Sequence, residues 1–146
     1  MSPAAMTRKQ QMHDAMPHND GAFYFPQGMI GFSDAHEYGL IYEGVGKIAC
    51  LQSIDHPEAA FLLTPWDEPR LGPPPELNRE QIQCIDAEDA ENVLWMLVLN
   101  PFADKQWVTA NLKAPVAVNT EKRIGLQCIR SEPELELRFH WMPQPA

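Results

Sequence analysis

Val93–Leu99 reads VLWMLVL, seven apolar residues in a row, closed off by Asn92 on one side and Asn100-Pro101 on the other. The run is short for a helix and carries β-branched and aromatic side chains, so it reads as a buried strand. Three further strands follow at short, regular spacing: Trp107–Leu112, Val116–Asn119 and Ile124–Arg130. Upstream, FYFPQGMIGF (Phe23–Phe32) is an apolar strand punctuated by Pro26, Gly28 and Gly31, the signature of a tight turn or bulge shaped by backbone. Leu40–Tyr42, Ile48–Ser53 and Ala59–Thr64 are short strands set apart by Gly44 and Gly46 and by the turn Asp55-His56-Pro57. Many short strands in series predict a mainly β, antiparallel β-barrel-like single domain.

One short helix is expected near 79–86. The stretch from Pro65 to Pro75, with Pro73-Pro74-Pro75 at its end, reads as loop. Directly after it Asn78 is placed to cap, Gln81 stands three residues on as its reciprocal partner, and Leu77 and Ile82 suit a hydrophobic staple. Residues 1–21 show neither period 2 nor period 3.6 and read as a flexible N-terminal arm. Residues 22–131 form the barrel domain. The tail, 132–146, has room for one edge strand through Leu135, Leu137, Phe139 and Trp141.

Composition narrows the function classes. The chain has 146 residues, 45% of them hydrophobic, which is enough for one core and too much for a disordered segment. Fourteen prolines disfavour a helical protein. A net charge of −9 leaves no basic face to grip a phosphate backbone, so direct nucleic-acid binding is not expected. It suits a basic protein partner, or simply solubility. Cys50, Cys84 and Cys128 are odd in number and far apart, without metal-ligand spacing, and read as small core residues. With no signal-like or membrane-length apolar run, a cytoplasmic location is expected, with neither membrane contact nor cofactor.

Candidates for catalysis are few. Asp55-His56 is an acid/base pair in sequence, but neighbours in an extended turn point apart, so ordinary turn chemistry is the expectation. Asp34 and His36 share a strand face without a third ligand, so no metal site is expected. IDAEDAEN (Ile85–Asn92) lacks the glycine of a calcium loop and reads as an acidic loop facing solvent or a partner. Trp95 reads as core, whereas Trp66, in the proline-rich loop, is the tryptophan expected at the surface.

Recognition enters at WVTANLKAPVAVNTEKRIGLQCI (Trp107–Ile129). Its TANLKAPVAVN core, followed by a basic turn and IGLQ, resembles the flagellar assembly factor FliW family. FPQGMIGF resembles that family's Phe-Pro-x-Gly-x-x-Gly-Phe signature, and LQSIDHPEAAFLLTP its Leu-Gln-Ser block. The acidic stretch ahead of VLWMLVLNP resembles its lead-in to a buried strand. These blocks stand in the family's order across residues 23–131. One departure is visible: Thr7–Asp20 lacks the alternating first strand with which family members begin.

The resemblance implies a β-barrel-like fold and a non-enzymatic partner-switching role, for which a monomer is the simpler expectation. Family members bind cytoplasmic flagellin, and when freed of it they bind and allosterically antagonise the RNA-binding translational repressor CsrA. On residue chemistry, Asp86, Glu88, Asp89 and Glu91 suit docking of a basic repressor. Phe25, Pro26, Met29, Ile30 and Phe32 suit the apolar stripe of flagellin's terminal helices. Asn111, Pro115 and Asn119 read equally as scaffold or as contact residues, and Lys113 as a contact residue. The alternative from another class is a small barrel that binds a metabolite or sugar in an apolar pocket between Trp66 and Trp107. A third is a hydrolase using His56.

Overall fold

The computed structural model describes residues 22–42, 47–88 and 92–145, so the expected flexible arm, 1–21, lies outside the described residues. Among the described residues nine strands form: β1 (Phe23–Tyr24), β2 (Glu37–Tyr42), β3 (Ala49–Ser53), β4 (Ala60–Pro65), β5 (Val93–Asn100), β6 (Trp107–Ala110), β7 (Val116–Asn119), β8 (Ile124–Gln127) and β9 (Phe139–Pro143). Seven of them close into a barrel in the order β1-β2-β3-β4-β5-β7-β8 and back to β1. Every neighbour pairs antiparallel except β1 and β8, which run parallel at Tyr24 and Ile124. The antiparallel barrel expected from the sequence forms, with this one parallel seam for a geometric reason. Strands that alternate in direction around a ring of seven must leave one like-directed pair.

β5 organises the packing. One of its edges takes β4, and the other takes β7 along Val93–Met96 and then β6 along Leu99–Asn100. Its even residues, Leu94, Met96 and Val98, point into the barrel beside Phe25, Tyr38, Leu51, Leu63 and Val118. Its odd residues point out, and they are covered too. Val93 and Trp95 join Ile85, Ala117, Leu126 and Cys128 on one outer flank. Leu97 and Leu99 join Val108, Leu112, Phe139 and Trp141 on the other. Both faces being dry, the strand reads as an unbroken apolar run instead of an alternating one.

Among the described residues two short helices cover these flanks, where one is expected from the sequence. α1 (Glu68–Leu71) is the additional one; it starts with proline in its first turn and stops at Gly72, whose φ of 83° suits a residue without Cβ. Inside a proline-rich stretch it was legible only as loop. Arg70 of α1 donates to the His140 carbonyl at 2.7 Å and lies over the Trp141 ring at 4.4 Å, fastening the β6–β9 strand pair. α2 (Arg79–Cys84) forms with the anticipated capping box: the Asn78 side chain accepts from Gln81 N–H at 2.8 Å, and the Gln81 side chain accepts from Asn78 N–H at 2.9 Å.

The Phe-Pro segment is mostly turn: after Tyr24 the chain leaves the sheet until Glu37. Gly28 (φ 67°) is obligatory, because a Cβ there would stand 2.3 Å from the Phe32 carbonyl oxygen. Phe25, fully buried, packs on Gly125 of β8 so closely that a Cβ on Gly125 would lie 2.4 Å from the ring. Gly125→Ala is therefore expected to cost about 1–3 kcal/mol by overpacking, read as a lower urea midpoint at unchanged slope.

Candidate functional site

Asn119, at the end of β7, is buried and spends its whole side chain on backbone. Its amide donates to the carbonyls of Ile85 at 2.9 Å and Asp86 at 3.1 Å, and its oxygen accepts from Glu121 N–H and Lys122 N–H. It thereby ties the exit of α2 to the β7–β8 turn. Asp86 takes the left-handed conformation (φ 54°) that aspartate tolerates, which redirects the chain so that Ala87 turns inward and Glu88 outward.

That redirection opens a groove of about 490 Å³ on the outer flank of the barrel. Its apolar lining comes from Pro75, Leu77, Ile82, Val93 and Trp95, and Glu76 and Glu88 put two carboxylates on it. Ile82, 39% exposed, is the most accessible of the apolar residues. The acidic loop adjoins this groove. Asp86 is exposed and pairs with Lys122 at 2.6 Å, a hydrogen bond that raises the Lys122 pKa above its ordinary value. Glu88 is exposed, and Asp89 and Glu91 lie outside the described residues.

The proposed apolar contact set divides. Phe25 and Met29 are interior residues, which corrects their placement on an open groove: the Gly28 and Gly31 turns fold both side chains into the barrel. Ile30 is 52% exposed, Pro26 is half-buried, and Phe32 is half-buried edge-on against Phe61. Pro115 is buried, and Asn111 caps its own turn by accepting from Lys113 N–H at 2.9 Å, while the Lys113 side chain is half-exposed. Trp66 is half-buried, not a surface residue. It reaches both outer clusters, and its indole donates to the Gly72 carbonyl at 2.8 Å. Trp107 stacks on His140, with ring centroids 4.8 Å apart. The two tryptophans therefore do not wall a common pocket.

Asp55 and His56 do meet, contrary to expectation, because the turn curls tightly around Ser53. His56 Nδ1 lies 3.1 Å from Asp55 Oδ1, and its Nε2 lies 3.4 Å from Asp34 of the Phe-Pro turn. Ser53 donates to Asp55, not to the imidazole, so the geometry holds a histidine between carboxylates without activating a nucleophile. His36 faces elsewhere, with Nδ1 2.9 Å from the Phe25 carbonyl. Among the described residues no three His, Cys, Asp or Glu side chains are grouped to hold a metal. Burial pushes the Cys128 thiol up to about 11 and raises that of Cys84, keeping both protonated.

Fold and groove define the class: a small closed β-barrel with an acidic, apolar groove on its outer wall. A family model described as FliW protein matches residues 7–141. The flagellar assembly factor FliW of Thermoanaerobacter pseudethanolicus is 31% identical over 120 residues, covering 79% of this chain and 78% of that one. That of Syntrophus aciditrophicus is 27% identical over 117 residues, covering 77% and 72%. A crystal structure of the flagellar assembly factor FliW superposes with a TM-score of 0.75 over 84% of this chain and 86% of that chain, at 23% identity, showing the same fold. The chain belongs to the flagellar assembly factor FliW family. The match includes Thr7–Asp20, the stretch where an alternating first strand was not legible. Among the described residues no helix is long and apolar enough to cross a membrane.

Asn119→Ala leaves two carbonyls and two N–H groups short of their partner, and a loss of roughly 2–3 kcal/mol is expected by urea unfolding. The His56 cluster predicts a pH dependence. Its hydrogen bond to Asp55 raises the His56 pKa above 6.5 and lowers that of Asp55 below 3.8. The histidine contribution is complete below its ordinary value and fades as pH rises through the raised one; the aspartate contribution fades as pH falls through the lowered one. The melting-temperature gap between wild type and His56→Asn is thus expected to be widest between those two ordinary values and to narrow as pH rises through the raised histidine pKa.

Proposed function

We propose that this chain is a cytoplasmic, non-enzymatic partner-switching protein that holds flagellin and, once freed, binds and antagonises the translational repressor CsrA. The observation that carries the reading is the groove beside α2, an apolar concavity next to an acidic loop. Flagellin's amphipathic terminal segments need an apolar trough for their buried stripe, and Leu77, Ile82, Val93 and Trp95 supply one. An RNA-binding repressor carries basic surface, and Asp86, Glu88, Asp89 and Glu91 offer it opposite charge. Glu88 belongs to both groups, so the two partners would meet the protein on adjoining ground. The interior position of Phe25 and Met29 favours this groove over the Phe-Pro turn as the flagellin contact.

Ile82→Ser is expected to weaken flagellin binding by about tenfold while lowering the melting temperature little, since the residue is already part-exposed. The double reversal Glu76→Lys/Glu88→Lys is expected to weaken CsrA binding by about tenfold at low salt and to flatten its salt dependence. Titration calorimetry at two ionic strengths reads both effects, and unchanged affinities in both variants would sink the groove assignment.

A further inference from the structure

The barrel leaves part of one strand edge unused. Cys128 N–H donates to the Pro115 carbonyl and Arg130 N–H to the Lys113 carbonyl, both at 2.7 Å, so pairing with the β7 segment continues beyond Gln127. Backbone groups of alternate residues in such a ladder face opposite edges. Gln127 and Ile129 therefore turn their N–H and C=O groups away from β7, toward the side on which β1 lies. β1 covers that side only where Tyr24 N–H donates to the Arg123 carbonyl at 2.8 Å. The next donor in the parallel register would be residue 26, and Pro26 has no N–H to give. The chain then turns off, Gly28 N–H closing on the Phe25 carbonyl. Among the described residues, no backbone group pairs with Gln127 or Ile129 on that side.

Beside this edge lies a notch of about 250 Å³, lined by Gln27, Asn78, Glu80, Gln81 and Cys84, with the Gln27 amide reaching Cys84 Sγ at 4.0 Å through an exposed side chain. Ile129 is 74% exposed. The Ile30 N–H bonds to the Gln127 side chain, not to its backbone, at 2.8 Å.

We propose that the outer edge of β8 at Gln127–Ile129 is a strand-addition site for an extended segment of a protein partner. The unused groups form a row of alternating donors and acceptors, which an extended backbone satisfies and a helix, with its own groups paired internally, does not. Exposed Ile129 favours an apolar side chain opposite it, and Glu80 together with the net charge of −9 favours a basic one beside it. This rests on the proposed holding of a protein partner and adds the mode of contact. The site uses the face of α2 away from the groove lined by Leu77 and Ile82.

Ile129→Pro removes the outward N–H together with the side chain, whereas Ile129→Ala removes only the side chain. With flagellin monomer and CsrA each used as probe in calorimetry, the proline variant is expected to fold and to lose at least about tenfold in affinity for one of them, and the alanine variant less than about threefold. In hydrogen exchange of the wild type, the Gln127 and Ile129 amides are expected to exchange fast in the free protein, beside slow Leu126 and Cys128, and to slow in the complex. Equal losses in both variants, or undiminished binding by the proline variant, would overturn strand addition alone. So would protection of these amides in the free protein, or a concentration-dependent dimer abolished by the proline, which would make the occupant this chain's own arm or a second copy. If the proline variant does not fold, the amide rates in the wild-type complex decide: slowing supports the proposal and unchanged rates refute it. Binding of neither probe by the wild type would refute the proposed function as well.

Discussion

The structure depends on one constraint: β5 is dry on both faces. Its inward residues fill the barrel, and its outward ones would be exposed if the chain ended at a bare barrel wall. Covering them requires two separate devices, α2 with its preceding loop over Val93 and Trp95, and the β6–β9 strand pair over Leu97 and Leu99. Burial of side chains of this size stabilises by roughly 1.5–3 kcal/mol each, so the devices are part of the core and not ornaments on it. Trp66 touches both flanks, and its indole bond to Gly72 fixes the loop that separates them.

Functional geometry follows from how the first of these covers is tethered. α2 is a helix of six residues with no fully buried side chain, too short to hold its place by packing alone. Its first turn is closed locally by the Asn78–Gln81 cap, and its position against the barrel is set at the other end by the bonds from Asn119 to the carbonyls of Ile85 and Asp86. The groove and the start of the acidic loop are therefore fixed by an asparagine in a strand, through hydrogen bonds that span the fold. Asn119 had read equally as scaffold or contact; its side chain is fully committed to backbone.

Much of this was legible in residue order. The apolar run of β5, the capping box of α2 and the short strands after Trp107 each announce themselves locally, because period and capping chemistry are properties of neighbouring residues. What was not legible depends on distant ones. Phe25 and Met29 look like an exposed apolar turn until Gly28 and Gly31 are seen to fold them under Tyr38 and over Gly125. Trp66 looks exposed because its loop is rich in proline, yet its cover comes from the α1 flank and β5. Asp55 and His56 were expected to diverge, and the curl around Ser53 brings them together with Asp34, which lies on another turn. The groove joins residues from 74 to 95, and no local pattern marks it.

The parallel seam between β1 and β8 also sets when the fold can be completed. Tyr24 and Ile124, which meet there, are a hundred residues apart in the chain. While the protein is being synthesised, β2 to β5 can pair with near neighbours, but the ring stays an open sheet until the last barrel strand has emerged. Closure is then a long-range event that brings loop entropy with it, the kind of step that slows folding and leaves strand edges exposed meanwhile. With a β1 of only two residues, ended by Pro26, the seam is held as much by Phe25 lodged against Gly125 as by its ladder. The last joint made is thus a side-chain lock, and by the same token the first place where the finished barrel can part.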